Sequence, residues 1–571
     1  MRRAPRRDAA VALALAFTTF GLLVFTSGAV GIPRDESVYF DAGHRHAQWA
    51  RQLLERPAQA LGDEAIARHF EINREHPALP KLLFGLSHAL FTEQLGWTGH
   101  RLGFRLPAFA FSALLVAFTF LLGARLASPW VGLFAALGAA FAPRHFLHLH
   151  LASFDVPAAA TWVLTTWTWL RALEAGSPRA RRRWAVATGL AFGLAVSVKH
   201  NAYFLPLLLA THWGLCLGPE AWRATAGAPL PARLWGLLRA APGALWAMAL
   251  LGPLCLYLLW PFLWHHPLER FSWYLAFHLH HEHYPWHYLG ELLRAPPFPL
   301  AYPFTLSALT LPLPLLVPGV WGFFAEAATW LRGALGRWRP GAAPLSPEAT
   351  RAHLRRGLLL ACALFPPLLI ALPSVPIFGG VKHWMHSAPY LLILGGAALA
   401  EAAHQVGAWL DARWPQGPAL ARLAPPLALA LCLTPLALWT PHFHPHGTSA
   451  YSALAGGAPG AASLGMQRQY WSHALVEVLP FVNAEAPRGG AVYLHEVTWM
   501  AYRWYQREGL LRADLRWAHG PAEADLAVYQ HHQEFRDREY EIMSALGAPR
   551  PAHTFALDGV PLLQVYLRPR R

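Results

Sequence analysis

The chain has 571 residues, of which 55% are hydrophobic and only 14% are charged. Soluble domains carry about 25% charged residues, so this composition excludes a wholly soluble globule. The net charge of +15 does not by itself indicate a nucleic-acid-binding protein, because the arginines cluster in short segments between apolar runs. We therefore expect membrane lipid, and no nucleic acid, among the partners of this chain.

Eleven apolar runs have the composition of membrane-spanning helices, each of which needs about 20 mostly apolar residues. The first run is too long for the apolar core of a signal peptide and predicts a retained helix. In chain order, the runs lie at about 9–31, 105–123, 129–147, 154–172, 184–199, 202–218, 242–263, 300–325, 357–373, 387–403 and 423–440.

The distribution of basic residues predicts the orientation of these spans. With the N-terminus inside, the segments on the cytoplasmic side hold 21 lysines and arginines and the short loops opposite hold five. An odd number of spans then puts the C-terminus outside the cytoplasm. We predict a multi-pass protein of the cell (inner) membrane, with long extracytoplasmic segments at 32–104, 264–300 and 441–571.

The segment after the last span mixes helical patterns with short strand-like runs. "AVYLHEV" and "ADLAVYQ" have strand composition, and Asp558-Gly559 is a hairpin signal. The sequence therefore predicts a small extracytoplasmic α/β domain at 441–571 behind a multi-span domain at 1–440. The four cysteines all lie in or beside apolar runs and form no CxxC pair, so we interpret them as buried hydrophobic residues.

Ionisable residues gather on the predicted extracytoplasmic side, near the ends of the spans. Acidic residues commonly flank membrane helices without any functional role, and lysines there can simply extend towards the interface. Their common side nevertheless makes them candidate site residues, and "HPALPKLLFGLSHALF" among them has the apolar spacing of an interfacial helix. The candidates are Asp35, Glu36, Glu75, His76, Lys81, Asp155, Lys199 and Lys382.

This arrangement suits glycosyl transfer from a lipid-phosphate donor. Nucleotide sugars are not normally available outside the cytoplasm, and the chain has no GxxxxGK[ST] loop. A sugar on a polyprenyl phosphate already has a good leaving group, so the reaction needs a base for the acceptor hydroxyl and cations beside the phosphate. We predict Asp35 as the base and Glu36 as a residue that orients Asp35 or the sugar, with no metal or other cofactor.

Four motifs together resemble the GT-C glycosyltransferases of family 39, which include the protein O-mannosyltransferases and the lipid A aminoarabinose transferases. They are "RDESVY", "EHPALPKLLFG", "SFDVPAA" and "GLAFGLAVSVKHN", and "YSALAGGAPGAASLGMQRQYW" resembles bacterial phospholipid-carrier-dependent members. The resemblance implies a GT-C membrane fold of about 11 spanning helices.

The resemblance also implies roles for individual residues. Asp35 matches the catalytic base, Glu36 its acidic neighbour, and Asp155 the acid at the start of the fourth span. Glu75 and His76 match an acid-cation pair whose second member is a phosphate-binding lysine in the aminoarabinose transferases. A neutral imidazole is a weaker phosphate anchor than an ammonium group. Hence Lys81 or Lys382 is expected to supply the missing charge. The predicted donor-phosphate ligands are His76, Lys81, Lys199 and Lys382, and Glu75 and Asp155 are predicted to bind the sugar or acceptor.

A histidine-rich stretch lies in the loop at 264–300. His280, His281, Glu282 and His283 suggest zinc, but adjacent side chains diverge and no HExxH spacing occurs. We favour a part in binding the sugar or acceptor, with a merely amphipathic loop as the alternative. For Arg144, the pattern favours an ion pair with Asp155.

The function predicted from the sequence is that of an integral-membrane inverting glycosyltransferase. It would move a hexose or pentose from a polyprenyl-phosphate donor to a lipid, a cell-envelope glycan or a protein hydroxyl. A secondary transporter is the alternative, although its ionisable groups would lie near the bilayer midplane and its sequence would show paired halves. A non-catalytic membrane scaffold is a third possibility.

Overall fold

The computed structural model describes residues 5–337, 345–415, 417 and 419–569. Parts of the basic segments used to predict orientation, at 1–4 and 338–344, lie outside these ranges. Helices dominate the described residues up to 443. The strands of the larger sheet all lie beyond 490.

The first part of the chain is entirely helical. Two helices of 22 residues each are followed by three shorter ones and a π-helix, and then by a helix of 27 residues. These elements are α1 (Pro5–Thr26), α2 (Arg34–Glu55), α3 (Pro57–Ala60), α4 (Asp63–Phe70), α5 (Leu79–His88), a π-helix (Ala89–Gln94) and α6 (His100–Leu126).

The middle of the chain continues with helices joined by short turns. They are α7 (Pro129–Phe141), α8 (Pro143–Leu149), α9 (Asp155–Leu173), α10 (Pro178–Val196), α11 (Leu205–Cys216), α12 (Gly218–Arg223), α13 (Leu230–Ala240), α14 (Gly243–Leu259) and α15 (Pro267–Leu279).

A small antiparallel hairpin then precedes six more helices. The elements are β1 (Trp286–Tyr288), β2 (Glu291–Leu293), α16 (Tyr302–Thr310), α17 (Leu313–Arg337), α18 (Pro347–Ile370), α19 (Ala388–Arg413), α20 (Leu420–Leu433) and α21 (Leu436–Phe443).

Several helices are long and apolar enough to cross a membrane, which indicates a multi-pass membrane protein. Among the described residues five meet this condition alone, and two bent pairs raise the number to seven. The five are Arg6–Ala29, His100–Leu126, Pro347–Ile370, Met385–Arg413 and Leu420–Phe443. The bent pairs are α7 with α8, at 77°, and α13 with α14, at 73°. Each of the eleven predicted runs contains helix, but the count of eleven spans stays a prediction.

Two glycines bring α2 and α5 into backbone contact. A Cβ added to Gly85 would lie 1.8 Å from the carbonyl oxygen of Gly43, and one added to Gly43 would lie 2.8 Å from the carbonyl oxygen of Lys81. Any side chain at Gly85 would therefore push the two helices apart. This close approach fixes the helix that carries Asp35 against the predicted interfacial helix.

Beyond residue 443 the chain forms a mixed sheet with helices. The elements are α22 (Gly457–Ser463), α23 (Leu479–Glu485), β3 (Ala491–Leu494), α24 (Trp499–Arg507), β4 (Arg516–Trp517), β5 (Leu526–Gln530), α25 (Arg536–Leu546), β6 (His553–Leu557) and β7 (Val560–Leu567). The strand order is β4-β3-β5-β7-β6, with β3 parallel to β4 and β5, and β7 antiparallel to β5 and β6. The turn between β6 and β7 is the hairpin expected at Asp558-Gly559, and both residues have positive φ.

One apolar core joins this C-terminal segment to the helices of the first loop. It contains Phe40 of α2, Phe84 of α5, Phe104 of α6 and Trp504 of α24. Phe40 stacks on Phe104, and each of the two rings makes a T-shaped contact with Trp504. The predicted boundary at 440 falls within α21, and the division into two domains stays a prediction.

Candidate active site

A cavity of about 890 Å³ lies where the first loop, the turns after α10 and α18, α15 and the C-terminal segment meet. Its volume is within the range of ligand-binding clefts. The predicted site residues on its wall are Asp35, Glu36, Glu75, His76, Asp155, Lys199, His281 and Lys382. Those that lie outside its lining are Lys81, His280, Glu282 and His283.

Asp35 lies in the first turn of α2 and points into this cavity. Its side chain is 43% exposed, and its Oδ2 atom lies 3.4 Å from Nζ of Lys382. Pro33 precedes the helix at the N-cap position, in an extended conformation. The structure therefore joins the predicted base to a cation 347 residues away in sequence.

Lys382 is held in a short helical turn, Gly380–His383, after α18. Gly379 before it has φ of 77°, and a Cβ there would lie 2.4 Å from Cε of Lys382. The ammonium group also lies 5.1 Å from the ring centre of Phe378 and 5.0 Å from that of Trp471. Two aromatic faces and one carboxylate thus hold this cation at the cavity wall.

Glu36 makes a different set of contacts from those of its neighbour. Its carboxylate is buried and accepts two hydrogen bonds from Arg105, from Nε at 2.8 Å and from Nη2 at 2.6 Å. The backbone N–H of Ala152 donates a third at 2.7 Å. Arg105 also donates to the carbonyls of Val30 and Gly31, so the pair clamps α6, the link between α1 and α2, and the turn before α9. Glu36 thereby fixes the segment that positions Asp35.

A second ion pair lines the same cavity. Nζ of Lys199 donates to Oδ1 of Asp155 at 2.7 Å, and both side chains are buried. Nδ1 of His148 lies 3.9 Å from the other carboxylate oxygen. The expected pair between Arg144 and Asp155 is wrong, because Arg144 donates to the Tyr470 hydroxyl and the Ala450 carbonyl, both at 3.1 Å.

The segment from Asn73 to Lys81 forms a tight local network. Nζ of Lys81 donates to the carbonyls of Asn73, at 2.5 Å, and of His76, at 2.9 Å. Burial lowers the pKa of Lys81 to about 7, although Glu75 opposes the shift. Its ammonium group thus supports the backbone on which Glu75 and His76 sit, behind the wall of the cavity.

Three histidines from separate segments meet beside this network. The ring nitrogens of His76, His200 and His278 lie within 4.8 Å of one another and could hold a metal ion. His278 also contacts the Glu75 carbonyl at 2.9 Å. Burial lowers the pKa of all three, that of His278 to about 4, so they are neutral near pH 7. The histidine-rich stretch at 280–283, for which zinc was disfavoured, is not part of this group. There only His281 lines the cavity, with its ring stacked on Phe378 at 5.1 Å.

Comparison with known proteins supports this architecture. Residues 75–246 match the model of the dolichyl-phosphate-mannose-protein mannosyltransferase family. The solved structure of ArnT from Cupriavidus metallidurans bound to undecaprenyl phosphate is similar at a TM-score of 0.52 and 15% identity, over 99% of both chains. Its apo structure is similar at the same TM-score and identity, over 97% of both chains. No curated protein sequence matches the chain.

The resemblance to GT-C glycosyltransferases of family 39 is confirmed. At 15% identity, the likeness to the ArnT structures concerns the fold, and the roles of individual residues must be argued from their contacts. A third structure, the apo oligosaccharyltransferase of Archaeoglobus fulgidus, has a TM-score of 0.49 at 12% identity, over 94% of this chain and 71% of that one. That similarity is too low to carry an argument.

The C-terminal segment contributes a wall of the cavity that sequence reasoning missed. Trp471, Ser472 and Glu496 line the cavity, and all three have positive φ, between 60° and 73°. Glu496 pairs with Arg34 at 2.6 Å, and the Trp471 carbonyl accepts from the Arg34 N–H at 2.8 Å. Such strained backbone is common at functional sites. Only Trp471 had a sequence signal, as the end of the "MQRQYW" motif.

Proposed function

We propose that this protein is an integral-membrane inverting glycosyltransferase. It moves a sugar from a polyprenyl-phosphate donor to an extracytoplasmic hydroxyl, with Asp35 as the general base. The observation that carries this proposal is the half-exposed Asp35 carboxylate, which opens on a cavity of about 890 Å³ beside Lys382. The GT-C fold is consistent with this proposal. A fold alone does not determine the reaction, which depends on the residues of the site.

Asp35 has the exposure that a general base needs. Glu36 is fully engaged by Arg105 and Ala152, whereas Asp35 keeps a side that faces the cavity. A carboxylate there can take the proton of the acceptor hydroxyl as its oxygen attacks the anomeric carbon. Such assistance is worth about 10²–10⁴-fold in rate.

Lys382 is proposed to act in two successive positions. In an inverting displacement the base and the leaving oxygen lie on opposite sides of the anomeric carbon, so a cation 3.4 Å from the base is not yet placed on the leaving phosphate. The lysine stem is flexible and its charge compact. We propose that Lys382 neutralises Asp35 in the free enzyme and turns to the phosphate when the donor enters, which frees the base.

Lys199 is the second candidate for the donor phosphate. It lines the same cavity, but its charge is compensated by Asp155 at 2.7 Å. A phosphate bound beside this pair would contact a cation whose position is already fixed, so little side-chain entropy would be lost on binding. His76 lies on the wall as a neutral group, and Lys81 supports it from behind. We therefore propose that these two position the loop and that Lys199 and Lys382 contact the donor.

The donor class rests on the site and on the related structure. The ArnT structure of similar fold holds undecaprenyl phosphate. In this chain the cavity combines two lysines with apolar groups such as Phe204, Phe365 and Leu369, which suits a phosphate with an attached lipid. We propose that the acceptor, a lipid, an envelope glycan or a protein hydroxyl, enters past Trp471 and Glu496.

The proposal is tested in cells that lack the protein. Lipid-linked sugars are extracted and compared with those of the same strain carrying the wild-type gene, the Asp35→Asn variant or the matched Glu64→Gln variant, whose carboxylate is 90% exposed. A polyprenyl-phosphate sugar should accumulate without the protein and with Asp35→Asn, and should fall to the wild-type level with Glu64→Gln.

Two outcomes would contradict the proposal. Equal donor levels in all strains would exclude a reaction that consumes a lipid-linked donor and would favour a scaffold. Normal donor consumption by an inserted Asp35→Asn variant would remove the base assignment. A transporter would instead change the side of the membrane on which a lipid-linked solute is found, without changing the amount of glycosylated product.

A further inference from the structure

A second cluster of metal-ligating side chains lies on the first loop, away from the cavity. It consists of His44 on α2, His88 at the end of α5 and Glu93 in the following π-helix. Their ligand atoms lie within 4.8 Å of one another, and these residues are outside the cavity lining. Any role of this cluster is thus separate from the chemistry around Asp35.

The π-helix is what brings Glu93 to His88. In an α-helix, residues five apart point about 140° away from each other, because each residue turns the helix by about 100°. In the Ala89–Gln94 segment the hydrogen bonds span five residues, as from the Leu95 N–H to the Leu90 carbonyl at 3.0 Å. This wider turn places residues five apart on one side. Single π turns of this kind are frequent at functional sites.

The distances between the ligand atoms fit one small divalent ion. Oε1 of Glu93 lies 3.6 Å from Nδ1 of His44 and 3.6 Å from Nδ1 of His88. Zinc–nitrogen and zinc–oxygen bonds of about 2.0–2.2 Å at tetrahedral angles put ligand atoms about 3.3–3.6 Å apart. The two distances to Glu93 match this spacing, and the ligand atoms of His44 and His88 lie within 4.8 Å of each other.

The buried side chain of His88 is independent evidence that a ligand binds here. Its side chain is only 1% exposed, and among the residues that the structure describes its Nδ1 atom has no hydrogen-bond partner. Leaving a buried polar atom unpaired is costly. Its Nε2 atom contacts Nδ1 of His100 at 2.9 Å. Since a metal-bound histidine usually has its other ring nitrogen hydrogen-bonded, His100 is placed as the residue that orients His88.

We propose that His44, His88 and Glu93 form a structural zinc site, with the fourth position open to water or to a further side chain. Two histidines and one carboxylate are a donor set that zinc accepts. The unpaired Nδ1 of His88 becomes a ligand. Through the ion, the carboxylate of Glu93 is linked to both histidines, in place of two contacts of 3.6 Å that are too long for hydrogen bonds.

The charges around the cluster are compatible with a bound cation. Arg51 lies 3.9 Å from Oε2 of Glu93, the oxygen that faces away from the proposed ligand position. Arg507 lies nearby, but its guanidinium is stacked over the Trp504 ring at 4.7 Å. Asp41 adds a negative charge and accepts from the Trp504 indole at 2.8 Å.

The site would stiffen the part of the first loop that packs against the C-terminal segment. The rings of His44, His88 and His100 all lie within 6.3 Å of the Trp504 ring centre on α24. An ion held by α2 and the end of α5 would stiffen the surface on which α24 packs. Zinc binding to the folded protein alone would then stabilise it.

The test compares zinc binding by full-length protein purified in detergent. The variant is His44→Ala/Glu93→Gln, and the matched control is His69→Ala/Glu64→Gln, which makes the same changes elsewhere in the same loop. Wild type and control should bind one zinc equivalent more than the variant, with at least tenfold tighter affinity at that site. The difference isolates this cluster from the three histidines at the cavity.

Two further readouts keep the test decisive. Zinc should raise the unfolding temperature of wild type and control more than that of the variant, and Co²⁺ should give a visible ligand-field band that the variant lacks. If the double variant does not fold, Glu93→Gln alone is used, because its side chain is 35% exposed. Equal zinc content and affinity in wild type and the folded variant would overturn the proposal.

Discussion

Asp35 and Glu36 are neighbours in sequence but occupy opposite environments. Glu36 is buried against Arg105, whereas Asp35 stays half-exposed in the cavity. Consecutive residues of a helix turn by about 100°, so one acid can face the protein and the other the cavity. The two acids next to an apolar helix therefore have different roles. Glu36 has a structural role, and Asp35 is proposed to have a catalytic one.

Replacing Glu36 should affect stability first. Glu36→Gln leaves the buried guanidinium of Arg105 without its counter-ion, and breaking one partner of such a pair costs about 3–5 kcal/mol. We expect a clearly lower unfolding temperature in detergent. Glu64→Gln, on an exposed side chain, should leave it unchanged. An unaltered unfolding temperature for Glu36→Gln would contradict the clamp assigned to this residue.

Lys81 gives a pH dependence with a definite sign. Its pKa is lowered by burial to about 7, whereas in the unfolded chain it is near 10.5. Between these values the unfolded state binds more protons, so stability rises with pH across this window. Comparison of wild type with Lys81→Met at pH 6.5–9.5 should show this rise in wild type alone. Parallel pH profiles would mean that Lys81 is not held as a buried group.

At the scale of elements, the contact between α2 and α5 positions both ends of the site. Asp35 lies in the first turn of α2, Lys81 lies in α5, and Glu75 and His76 precede α5. These helices meet backbone to backbone at Gly43 and Gly85. Small shifts here would be transmitted directly to the cavity wall, because neither backbone has room to adjust.

Gly85→Ala should be destabilising despite the higher helix propensity of alanine. Its Cβ would overlap the Gly43 carbonyl, and overpacking of this kind typically costs about 1–3 kcal/mol. The matched change is Gly21→Ala on α1, where a Cβ meets nothing within 4 Å. Thermal unfolding should separate the two variants. Equal stability would show that α2 and α5 separate easily.

At the scale of the whole molecule, the sidedness of the membrane protein is still a prediction. Cysteines placed at the exposed Arg182 and Arg550 can test it with a membrane-impermeant thiol reagent. In cells whose envelope has been made permeable but whose cell membrane is intact, Arg550→Cys should react and Arg182→Cys should not. Wild type serves as background for the four native cysteines. The reverse labelling pattern would invert the orientation and place the cavity on the cytoplasmic side.

Sequence reasoning succeeded where information is local. Hydropathy located helix in every predicted run, and Asp558-Gly559 located a hairpin, because both signals lie within a few residues. It could not find partners separated by long stretches of chain. The salt bridge from Glu36 to Arg105, the contact from Asp35 to Lys382 and the meeting of three distant histidines all depend on packing of the whole fold.

Sequence reasoning also could not show which buried groups would engage a given cation. Lys81 was expected at the donor phosphate, but its ammonium group binds backbone carbonyls behind the wall. Arg144 was expected at Asp155, but Tyr470 of the C-terminal segment competes for it. In both cases buried polar backbone or side-chain groups required a donor, a demand that the linear sequence does not display.

The central claim is that the carboxylate of Asp35 takes the acceptor proton. The most direct test is turnover by purified Asp35→Asn with the donor identified from the deletion strain, measured together with donor binding and with Glu64→Gln as control. We predict a fall of at least about 10²-fold in kcat, with donor binding retained. A folded Asp35→Asn variant that turns over within a few-fold of wild type would contradict the account.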